Sequence, residues 1–356
     1  MKKIIATVLS GLMLASLLGA CGSGGDKPTE SSAAEAPETT ANAEETEKEP
    51  AAAGGETAEY VDGLGEVKAD KEYNIGFTIS ARDQFLSAME DAAVKECEKT
   101  GVKMTVVDAN NNANTQIQNV QTFASQGCDA IIVNLVNSDN MDQIEAAAGD
   151  IPLIYVNRAP NGEIEAGKGT YVGSDENQSG RFQGEFLAEK FKAEGKSEIN
   201  VAVLQGILGL QHTLLRTESA LKALDASGLK VNVVYEDTAE FDRSKAQNKM
   251  QTFLGTGQAF DAVICNNDEM ALGAIEAMKS GGVDPKEIPV VGIDATPAGL
   301  QSMENGELAF TVFQNAAGQG EGAVRAAILF ANGNAPDTKI DIPFEPVTPD
   351  NYTEYK

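Results

Sequence analysis

The chain has 356 residues, a length that suits two ordinary domains better than one. Its 54 acidic residues outnumber its 27 basic residues, and the formal net charge is −27. This charge argues against nucleic acid as a partner and against direct adsorption to anionic lipid, because both surfaces are themselves negative.

The amino terminus carries the pattern of an export signal. Lys2 and Lys3 precede an apolar segment over 4–18, which is too short to remain as a membrane-spanning anchor. The four residues ending at Cys21 resemble a bacterial lipobox, after which the signal is cleaved and the cysteine becomes lipid-modified. We therefore expect a lipoprotein signal peptide over 1–20 and attachment to the membrane through Cys21. The alternative is an ordinary signal peptide with a chance cysteine.

The segment after Cys21 is predicted to be a flexible tether. Residues 22–70 are rich in Ala, Glu, Thr, Ser, Gly and Pro and include almost no large apolar side chain. Such a segment cannot bury enough surface to fold. The region 21–70 is therefore expected to be a lipidated cysteine and an acidic tether that holds a folded body away from the membrane.

The remaining cysteines give little evidence of function. Cys97, Cys128 and Cys265 are odd in number and lack the spacing of metal ligands. We expect three buried thiols, with a disulfide between Cys97 and Cys128 as the alternative. The chain has a single histidine and no close thiol pair, so no metal site is expected.

From Lys71 the pattern alternates between short apolar strands and amphipathic helices, which predicts βαβ units with right-handed crossovers. Strands are predicted at 73–79, 102–107, 128–135, 152–156 and 308–313. Helices are predicted at 84–100, 114–126, 298–305 and 318–331. The tail, 340–347, is expected to cross between two lobes once more.

The stretch 260–278, FDAVICNNDEMALGAIEAM, shows where a site could form. Its apolar part, 260–265, predicts a buried strand, and Asn267 and Asp268 follow at the carboxyl end of that strand. Asp268 is predicted to cap the next helix. Ligands bind at this edge of open parallel sheets, because loops and helix amino termini converge there. The alternative is a capped helix beside a solvated turn.

An internal repeat indicates two similar lobes. Residues 100–135 and the stretch from Ser227 to Asn267 share one order: strand, polar turn, helix, Gly-containing turn, and strand ending in Asn. Two lobes that face each other follow from this repeat. The alternative is that any two βαβ units look alike.

Polar side chains collect at the predicted strand ends, and two phenylalanines lie beside them. Planar amide, carboxylate and guanidinium groups offer paired hydrogen-bonding atoms that match neighbouring hydroxyls on a sugar ring, and an aromatic ring matches its C–H face. The set suits binding rather than catalysis. Its members are Asp83, Phe85, Asn110, Asn157, Arg158, Arg216, Phe241, Asn267, Asp294 and Gln314, with Asn110 the weakest because it can simply hold a turn.

From Tyr73 to the end, the chain resembles the type I periplasmic binding proteins, in particular the ribose and galactose/glucose branch. The motifs that carry the resemblance are IGFTIS, YVNRAP, YVGSDENQSGRFQGEFLAEKF, CNNDEMALGAIEAM, VVGIDATP and FTVFQNAAGQG. The resemblance implies an α/β fold of two Rossmann-like lobes with parallel sheets joined by three hinge crossovers. It places the first lobe at 71–173 and 315–343, and the second at 174–314 and 344–356.

The resemblance also implies roles for individual side chains. Asp83 and Phe85 would form the wall after the first strand, with Phe85 stacking on the ring. Asn157 and Arg158 match a pair that binds hydroxyls. On the second lobe, Arg216, Phe241, Asn267 and Asp294 match further ligand contacts, and Gln314 matches one near a hinge.

The chain departs from both branches in ways that matter for its ligand. Asn157 is typical of the galactose/glucose branch, whereas Gln314 is typical of the ribose branch. Leu210 and His212 replace a His and an Asp of the galactose/glucose branch, and His212 is as consistent with a surface position as with a pocket hydrogen bond. No oxygen-rich loop lies between Lys192 and Asn200, so no calcium is expected.

The function implied is that of an extracytoplasmic substrate-binding lipoprotein, expected to be monomeric and to need no cofactor. It would capture a monosaccharide or polyol resembling galactose, glucose, ribose or inositol and deliver it to the permease subunits of an ABC importer. The alternative is a sensor that presents a sugar or furanosyl signal to a membrane receptor. An enzyme is not expected, because no set of acid, base and nucleophile is visible and no Gly-x-Ser-x-Gly motif occurs.

Overall fold

A computed structural model describes residues 64–356. The predicted signal peptide, Cys21 and most of the predicted tether lie outside the described residues. The strands are β1 (Asn74–Ile79), β2 (Lys103–Asp108), β3 (Ala130–Val133), β4 (Leu153–Val156), β5 (Gly169–Gly173), β6 (Glu198–Gln205), β7 (Lys230–Thr238), β8 (Ala262–Cys265), β9 (Val290–Val291), β10 (Thr311–Phe313), β11 (Lys339–Asp341) and β12 (Glu345–Val347). The helices are α1 (Gln84–Thr100), α2 (Ala113–Ser125), α3 (Met141–Ala148), α4 (Glu176–Ala193), α5 (Gln211–Ala226), α6 (Arg243–Leu254), α7 (Asp268–Ser280), α8 (Pro297–Glu304) and α9 (Ala316–Ala331).

The first lobe is built on a parallel sheet in the order β11-β5-β4-β3-β1-β2. Its inner strands β3 and β4 are buried at every position, which explains their continuous apolar sequences AIIV and LIYV. Helices α1 and α9 pack side by side on this sheet. The carboxyl ends of β1, β3 and β4 therefore lie at one edge of the lobe.

The second lobe repeats this plan with the parallel order β7-β6-β8-β9. Single parallel bridges, Val291 to Phe310 and Asp294 to Phe313, extend this sheet towards β10. Strand β10 pairs antiparallel with β12. Helices α4 and α5 pack together on one side, and α6 and α7 on the other.

The chain passes between the lobes at three places. The first passage leads from β5 to α4, the second from β10 to α9, and the third from β11 to β12. The predicted fold class, two lobes of parallel α/β structure joined by three crossovers, is confirmed. The exact lobe boundaries predicted from the sequence stay a prediction.

The internal repeat extends to the backbone of one turn in each lobe. In the turn 109–112, which joins β2 to α2, and in the turn 239–242, which joins β7 to α6, the two central residues have positive φ. Each turn ends in a side chain that caps the following helix, Asn112 for α2 and Asp242 for α6. The second turn places Phe241, a bulky residue, at a φ of 61°.

One glycine in each of two helix pairs, α4 with α5 and α1 with α9, allows the two backbones to come into contact. A Cβ at Gly180 on α4 would strike the carbonyl of Arg216 on α5, and a Cβ at Gly320 on α9 would strike the carbonyl of Met89 on α1. Because glycine removes this obstacle, the backbones come within direct contact. The position of Arg216 therefore depends on the absence of a side chain at residue 180.

One predicted cap is wrong. Asn267, not Asp268, is the N-cap of α7, and its side chain accepts from the backbone N–H of Met270 at 3.0 Å. The reason is that Asp268 turns inward, where its carboxylate accepts from the hydroxyl of Thr311 at 2.7 Å and the backbone N–H of Thr296 at 2.8 Å. Asp268 thus joins α7 to the residues around β10 and α8, and burial raises its pKa to about 7.

The cysteines agree with the first of the two expectations. Cys97, Cys128 and Cys265 are buried and not joined in a disulfide. Burial raises the pKa of each thiol, so all three behave as small apolar side chains. In the range 64–356, no helix has the length and apolar character to cross a membrane.

Candidate ligand-binding site

The structure brings nine of the ten side chains of the predicted set, all except Asn110, together with His212 around one cavity between the lobes. About 300 Å³ of empty space, part of it open to solvent, lies between these side chains. The lining residues are Asp83, Phe85, Leu86, Asn157, Arg158, His212, Arg216, Phe241, Asn267, Asp294 and Gln314. Asn110 does not line it, and lies instead in the turn 109–112 with a φ of 51°. Contact of these side chains with a ligand stays a prediction.

The start of α1 forms one part of the first-lobe wall. Asp83 caps this helix, since its carboxylate accepts from the backbone N–H of Leu86 at 2.7 Å. Burial raises the pKa of Asp83, and the Leu86 hydrogen bond and the charge of Arg158 partly oppose this rise. Phe85 follows in the first turn and is only 8% exposed. One oxygen of the Asp83 carboxylate is therefore already used to cap α1.

Asn157, at the end of β4, is held by bonds within the first lobe. Its φ is 64°, and the hydroxyl of Tyr171 donates to its carbonyl at 2.8 Å. The side-chain oxygen accepts from Asn134 Nδ2 at 3.2 Å, and the side-chain nitrogen donates to Gln319 Oε1 at 3.1 Å. Both ends of the amide are thus used in a buried network, so the amide supports the wall.

Arg158 is the cation of the first-lobe wall. It is 5% exposed, and its Nη1 donates to the carbonyl of Leu135 at 2.9 Å. Burial lowers its pKa to about 10, an effect that Asp83 partly opposes, and the side chain stays charged at neutral pH. A buried guanidinium at the cavity surface suits an oxygen-rich ligand.

Arg216, on α5, connects the cavity to all three crossovers. Its Nε donates to Glu176 at 2.6 Å beside the first crossover, and its Nη2 donates to Gln314 Oε1 at 3.3 Å in the second. The ring of Phe344, in the third, lies 5.9 Å from the guanidinium carbon. Burial lowers the pKa of Arg216, but the charge and hydrogen bond of Glu176, together with the neighbouring Asp294 and Tyr171, outweigh burial, and the pKa is raised.

His212 and Phe241 form an adjoining part of the second-lobe wall. The two ring centroids are 6.3 Å apart, and Phe241 packs over Gly206, where a Cβ would strike the ring. His212 is 3% exposed and lines the cavity, so it does not take the surface position that the sequence left open. Burial, and then the neighbouring arginines, lower its pKa well below the usual value, so the ring is neutral.

Asp294 and Gln314 bring unpaired polar atoms to the cavity. Within 64–356 the Asp294 carboxylate makes no hydrogen bond, and Nη1 of Arg216 lies 4.0 Å away. Burial raises the pKa of Asp294 well above its usual range, although the charge of Arg216 opposes this. The side-chain nitrogen of Gln314 is buried and likewise has no partner in the described part. The side-chain oxygen of Asn267, by contrast, already accepts the hydrogen bond that caps α7.

Sequence reasoning missed the polar residues that support the wall from behind. Asn134 and Asn266 end β3 and β8, and each accepts from a backbone N–H of the neighbouring loop, at Ser80 and Gly206. Glu176 and Gln319 lie in the first turns of α4 and α9, directly after two crossovers. Asn134 and Asn266 share the strand-end position of the repeat, which was the available signal for them.

Contacts also run between the lobes at the edge of the cavity. The side-chain nitrogen of Gln211, at the start of α5, donates to the carbonyl of Pro160 at 3.0 Å. Its backbone N–H points to the hydroxyl of Ser138 at 3.5 Å. Gly209 approaches the side chain of Asn137. The two lobes therefore contact each other directly beside the cavity.

Two similar lobes with a polar and aromatic cavity between them define a two-lobed binding protein. In the described part, no group of three or more His, Cys, Asp or Glu side chains is arranged to hold a metal ion. A family model described as a periplasmic binding protein domain matches residues 75–335. The chain belongs to this family, and the family indicates a location outside the cytoplasm.

Individual relatives agree with this family. A protein of Rhizobium meliloti that carries the name of a rhizopine-binding protein is 37% identical over 289 residues, which cover 79% of this chain and 92% of that protein. The ribose import binding protein of Bacillus subtilis is 32% identical, with 77% and 87% covered. An ABC transporter solute binding protein from Bacillus halodurans C-125, solved with bound myo-inositol, is 39% identical with a TM-score of 0.74, covering 82% of this chain and 98% of that structure.

These findings confirm the family predicted from the motifs. The relatives are sugar and polyol binding proteins of ABC transporters, and the sensor alternative is not favoured. Members of the family bind their ligands and are not enzymes.

Proposed function

We propose that the chain is an extracytoplasmic substrate-binding lipoprotein that captures a monosaccharide or polyol between its lobes and delivers it to an ABC importer. The observation that carries the proposal is the gathering of nine side chains of the predicted set and His212 around one cavity. Planar hydrogen-bonding groups and two aromatic rings surround the same small space, which is the combination that a polyhydroxylated ring requires. The chain binds its cargo and does not transform it.

The names of the relatives narrow the cargo to a class. Myo-inositol, rhizopine and ribose are the ligands named for proteins between 32% and 39% identical to this chain. Two guanidinium groups, Arg158 and Arg216, and the carboxylate of Asp294 lie close enough together to hold several neighbouring hydroxyls of such a molecule. A cyclitol or monosaccharide of five or six carbons is the proposed ligand.

Delivery requires that the ligand contact both lobes. Asp83, Phe85, Asn157 and Arg158 line the cavity from the first lobe, and Asp294 from the second. A ligand that touches both favours the closed arrangement, since it shifts the population towards the state that binds it better. The permease subunits would recognise that closed form. A monomer is sufficient for this role.

Attachment to the membrane is proposed to depend on Cys21, with 22–70 as the tether. A single acyl chain anchors a protein only weakly, whereas the several chains of a bacterial lipoprotein hold it stably. Cys21→Ser is expected to release the protein from the membrane fraction of producing cells while leaving ligand binding unchanged. A Cys21→Ser protein that stays in the membrane fraction would remove the anchor from the proposal.

Thermal unfolding tests the binding function. The purified protein, unfolded and refolded to remove any ligand carried from the cells, is heated with myo-inositol, D-ribose, D-galactose and D-glucose in turn. A ligand at about a hundred times its Kd stabilises the folded state by about 2.7 kcal/mol, which raises the Tm by several degrees. A rise with one of these compounds is expected. A folded sample whose Tm responds to none of them would contradict the proposal.

A further inference from the structure

Glu176 is a buried carboxylate behind the cavity wall with one committed oxygen and one unpaired oxygen. It occupies the first position of α4 and is 5% exposed. Its Oε2 accepts from Arg216 Nε at 2.6 Å. Its Oε1 has no hydrogen-bond partner within residues 64–356 and lies 3.9 Å from His212 Nε2.

His212 is held neutral where it stands. Burial and then the charge of Arg216 lower its pKa, and its place as the second residue of α5, at the positive end of the helix dipole, also disfavours a cation. A neutral imidazole carries a hydrogen on one nitrogen and a lone pair on the other. A lone pair turned towards the carboxylate of Glu176 would be repelled by it, whereas an N–H would be attracted.

We propose that Glu176 is a positioning residue that fixes His212 in the tautomer with hydrogen on Nε2, so that Nδ1 is a hydrogen-bond acceptor for a ligand hydroxyl. The part that concerns the ligand rests on the proposed function. The tautomer itself depends only on the protein. His212 lines the cavity, and its Nδ1 is buried without a partner in the described part.

The Glu176 carboxylate therefore controls two groups of the wall, the position of one and the tautomer of the other. It holds the guanidinium of Arg216, a donor, and it makes Nδ1 of His212 an acceptor. Gln314, bonded to Arg216 through its oxygen, keeps an unpaired N–H₂ donor on the same wall. A hydroxyl both donates and accepts, so this wall selects a hydroxyl over a ring carbon without one or with a methyl ether.

The tautomer can be read directly, because His212 is the only histidine in the chain. Protein with ¹⁵N-labelled histidine gives one imidazole, and in its ¹⁵N–¹H correlation spectrum the two nitrogens of a neutral ring are well separated. The expected result in the ligand-free wild type is a protonated Nε2 and an unprotonated Nδ1. A protonated Nδ1, or a mixture of the two tautomers, would overturn the inference.

The variant Glu176→Gln changes the group that faces the ring. Its amide oxygen can still accept from Arg216 Nε, which turns the N–H₂ group towards His212 in place of Oε1. The expected result is a switch of the hydrogen to Nδ1. Glu96→Gln is the matched control, because Glu96 is 4% exposed and pairs with Arg325 at 2.8 Å in the first lobe. An Nε2 hydrogen retained in Glu176→Gln would contradict the positioning role; if this variant does not fold, the wild-type spectrum alone decides.

The ligand part is tested with the compound that raises the Tm in the panel of myo-inositol, D-ribose, D-galactose and D-glucose. On its addition the Nδ1 resonance is expected to shift, since that nitrogen accepts a hydrogen bond, and Glu176→Gln is expected to bind roughly two- to tenfold more weakly. An unchanged Nδ1 resonance in the saturated protein would overturn the acceptor role. A panel without any rise in Tm would count against the proposed function, and the ligand-free tautomer would still decide the role of Glu176.

Discussion

The two walls of the cavity use their polar side chains in different ways. On the first-lobe wall, the carboxylate of Asp83 caps α1 and both ends of the Asn157 amide are bonded to neighbours within the lobe. On the second-lobe wall, Asp294, His212 and Gln314 each keep polar atoms without hydrogen bonds inside the described part. The first wall is thus stiffened by its own bonds, with the guanidinium of Arg158 as its main uncommitted group, whereas the second wall keeps uncommitted polar atoms on three side chains. We infer that the second lobe contributes more to ligand selectivity.

The repeated turns show how such a difference arises from one plan. In the turns 109–112 and 239–242 the N–H of the fourth residue donates to the carbonyl of the first, and the two central residues have positive φ. The first carries Asn111, a residue that tolerates positive φ, and it does not reach the cavity. The second carries Phe241, whose ring lines the cavity. The two turns therefore share a backbone conformation, and only the second one brings a side chain to the cavity.

The largest effect on binding is expected from the carboxylate of Asp294. Asp294→Ala removes a carboxyl group from the cavity and leaves its partners unpaired, which should weaken binding by about 1–3 kcal/mol, roughly 5- to 150-fold. Asp83→Ala is the matching variant on the first-lobe wall. It should lower the free energy of unfolding by about 1 kcal/mol through loss of the α1 cap, with a smaller effect on affinity. Titrations of both variants check this, and equal losses of affinity would contradict the difference between the walls.

The two glycine contacts separate stability from binding. Gly180→Ala and Gly320→Ala each force two helices apart and should lower the free energy of unfolding by about 1–3 kcal/mol. Only Gly180→Ala displaces the backbone of Arg216, so only this variant is expected to lose affinity as well. Urea denaturation and ligand titration measure the two effects. An affinity loss of the same size in Gly320→Ala would contradict the assignment of the loss to the displaced backbone of Arg216.

The repeated turns give a smaller and more local test. Phe241→Ala removes an aromatic face from the cavity and should cost about 0.5–1.5 kcal/mol of binding beyond the lost contact area. Asn111→Ala, at the equivalent position, should leave affinity unchanged and lower stability slightly, because alanine is less tolerant of positive φ. Comparison of the two Kd values with that of the wild type is sufficient. Weakened binding in Asn111→Ala would contradict the assignment.

The smallest effect concerns pH. Burial lowers the pKa of His212 below its value in the unfolded chain, so its contribution to stability is present above about pH 6.5 and is lost as the pH falls. Between pH 7 and 5.5 the wild type should lose roughly 1 kcal/mol of unfolding free energy that His212→Asn does not lose. The raised pKa values of Asp268 and Asp294 act in the opposite direction, but they are common to both proteins. Parallel slopes for the two proteins would exclude a buried neutral His212.

Much of the fold was predictable because its signals are local. Helix α1 was predicted at 84–100 and is observed at Gln84–Thr100, since its apolar spacing and its cap lie within a few residues of each other. Strand ends were also predictable, which is why cavity-lining residues such as Asn157, Asn267 and Asp294 could be named before their neighbours were known. The strand predicted at 308–313 proved shorter, Thr311–Phe313, because the residues before it make only an isolated bridge.

The support of the cavity wall could not be predicted, because its partners are distant in sequence. Asn157 and Gln319 are 162 residues apart, and Glu176 and Arg216 are 40 apart. Nothing in the local pattern distinguishes these side chains from polar residues on a solvated helix face. The exchange of roles between Asn267 and Asp268 has the same origin, since only the tertiary fold brings Thr311 close to the second of them.

The most direct test of the account is a calorimetric titration of the refolded wild-type protein with the compound that raises its Tm. The account predicts one saturable site per chain and a large loss of binding heat in Asp294→Ala at the same concentrations. A compound that binds wild type and Asp294→Ala with the same Kd and the same heat would contradict it, because the ligand would then lie elsewhere than in the cavity between the lobes.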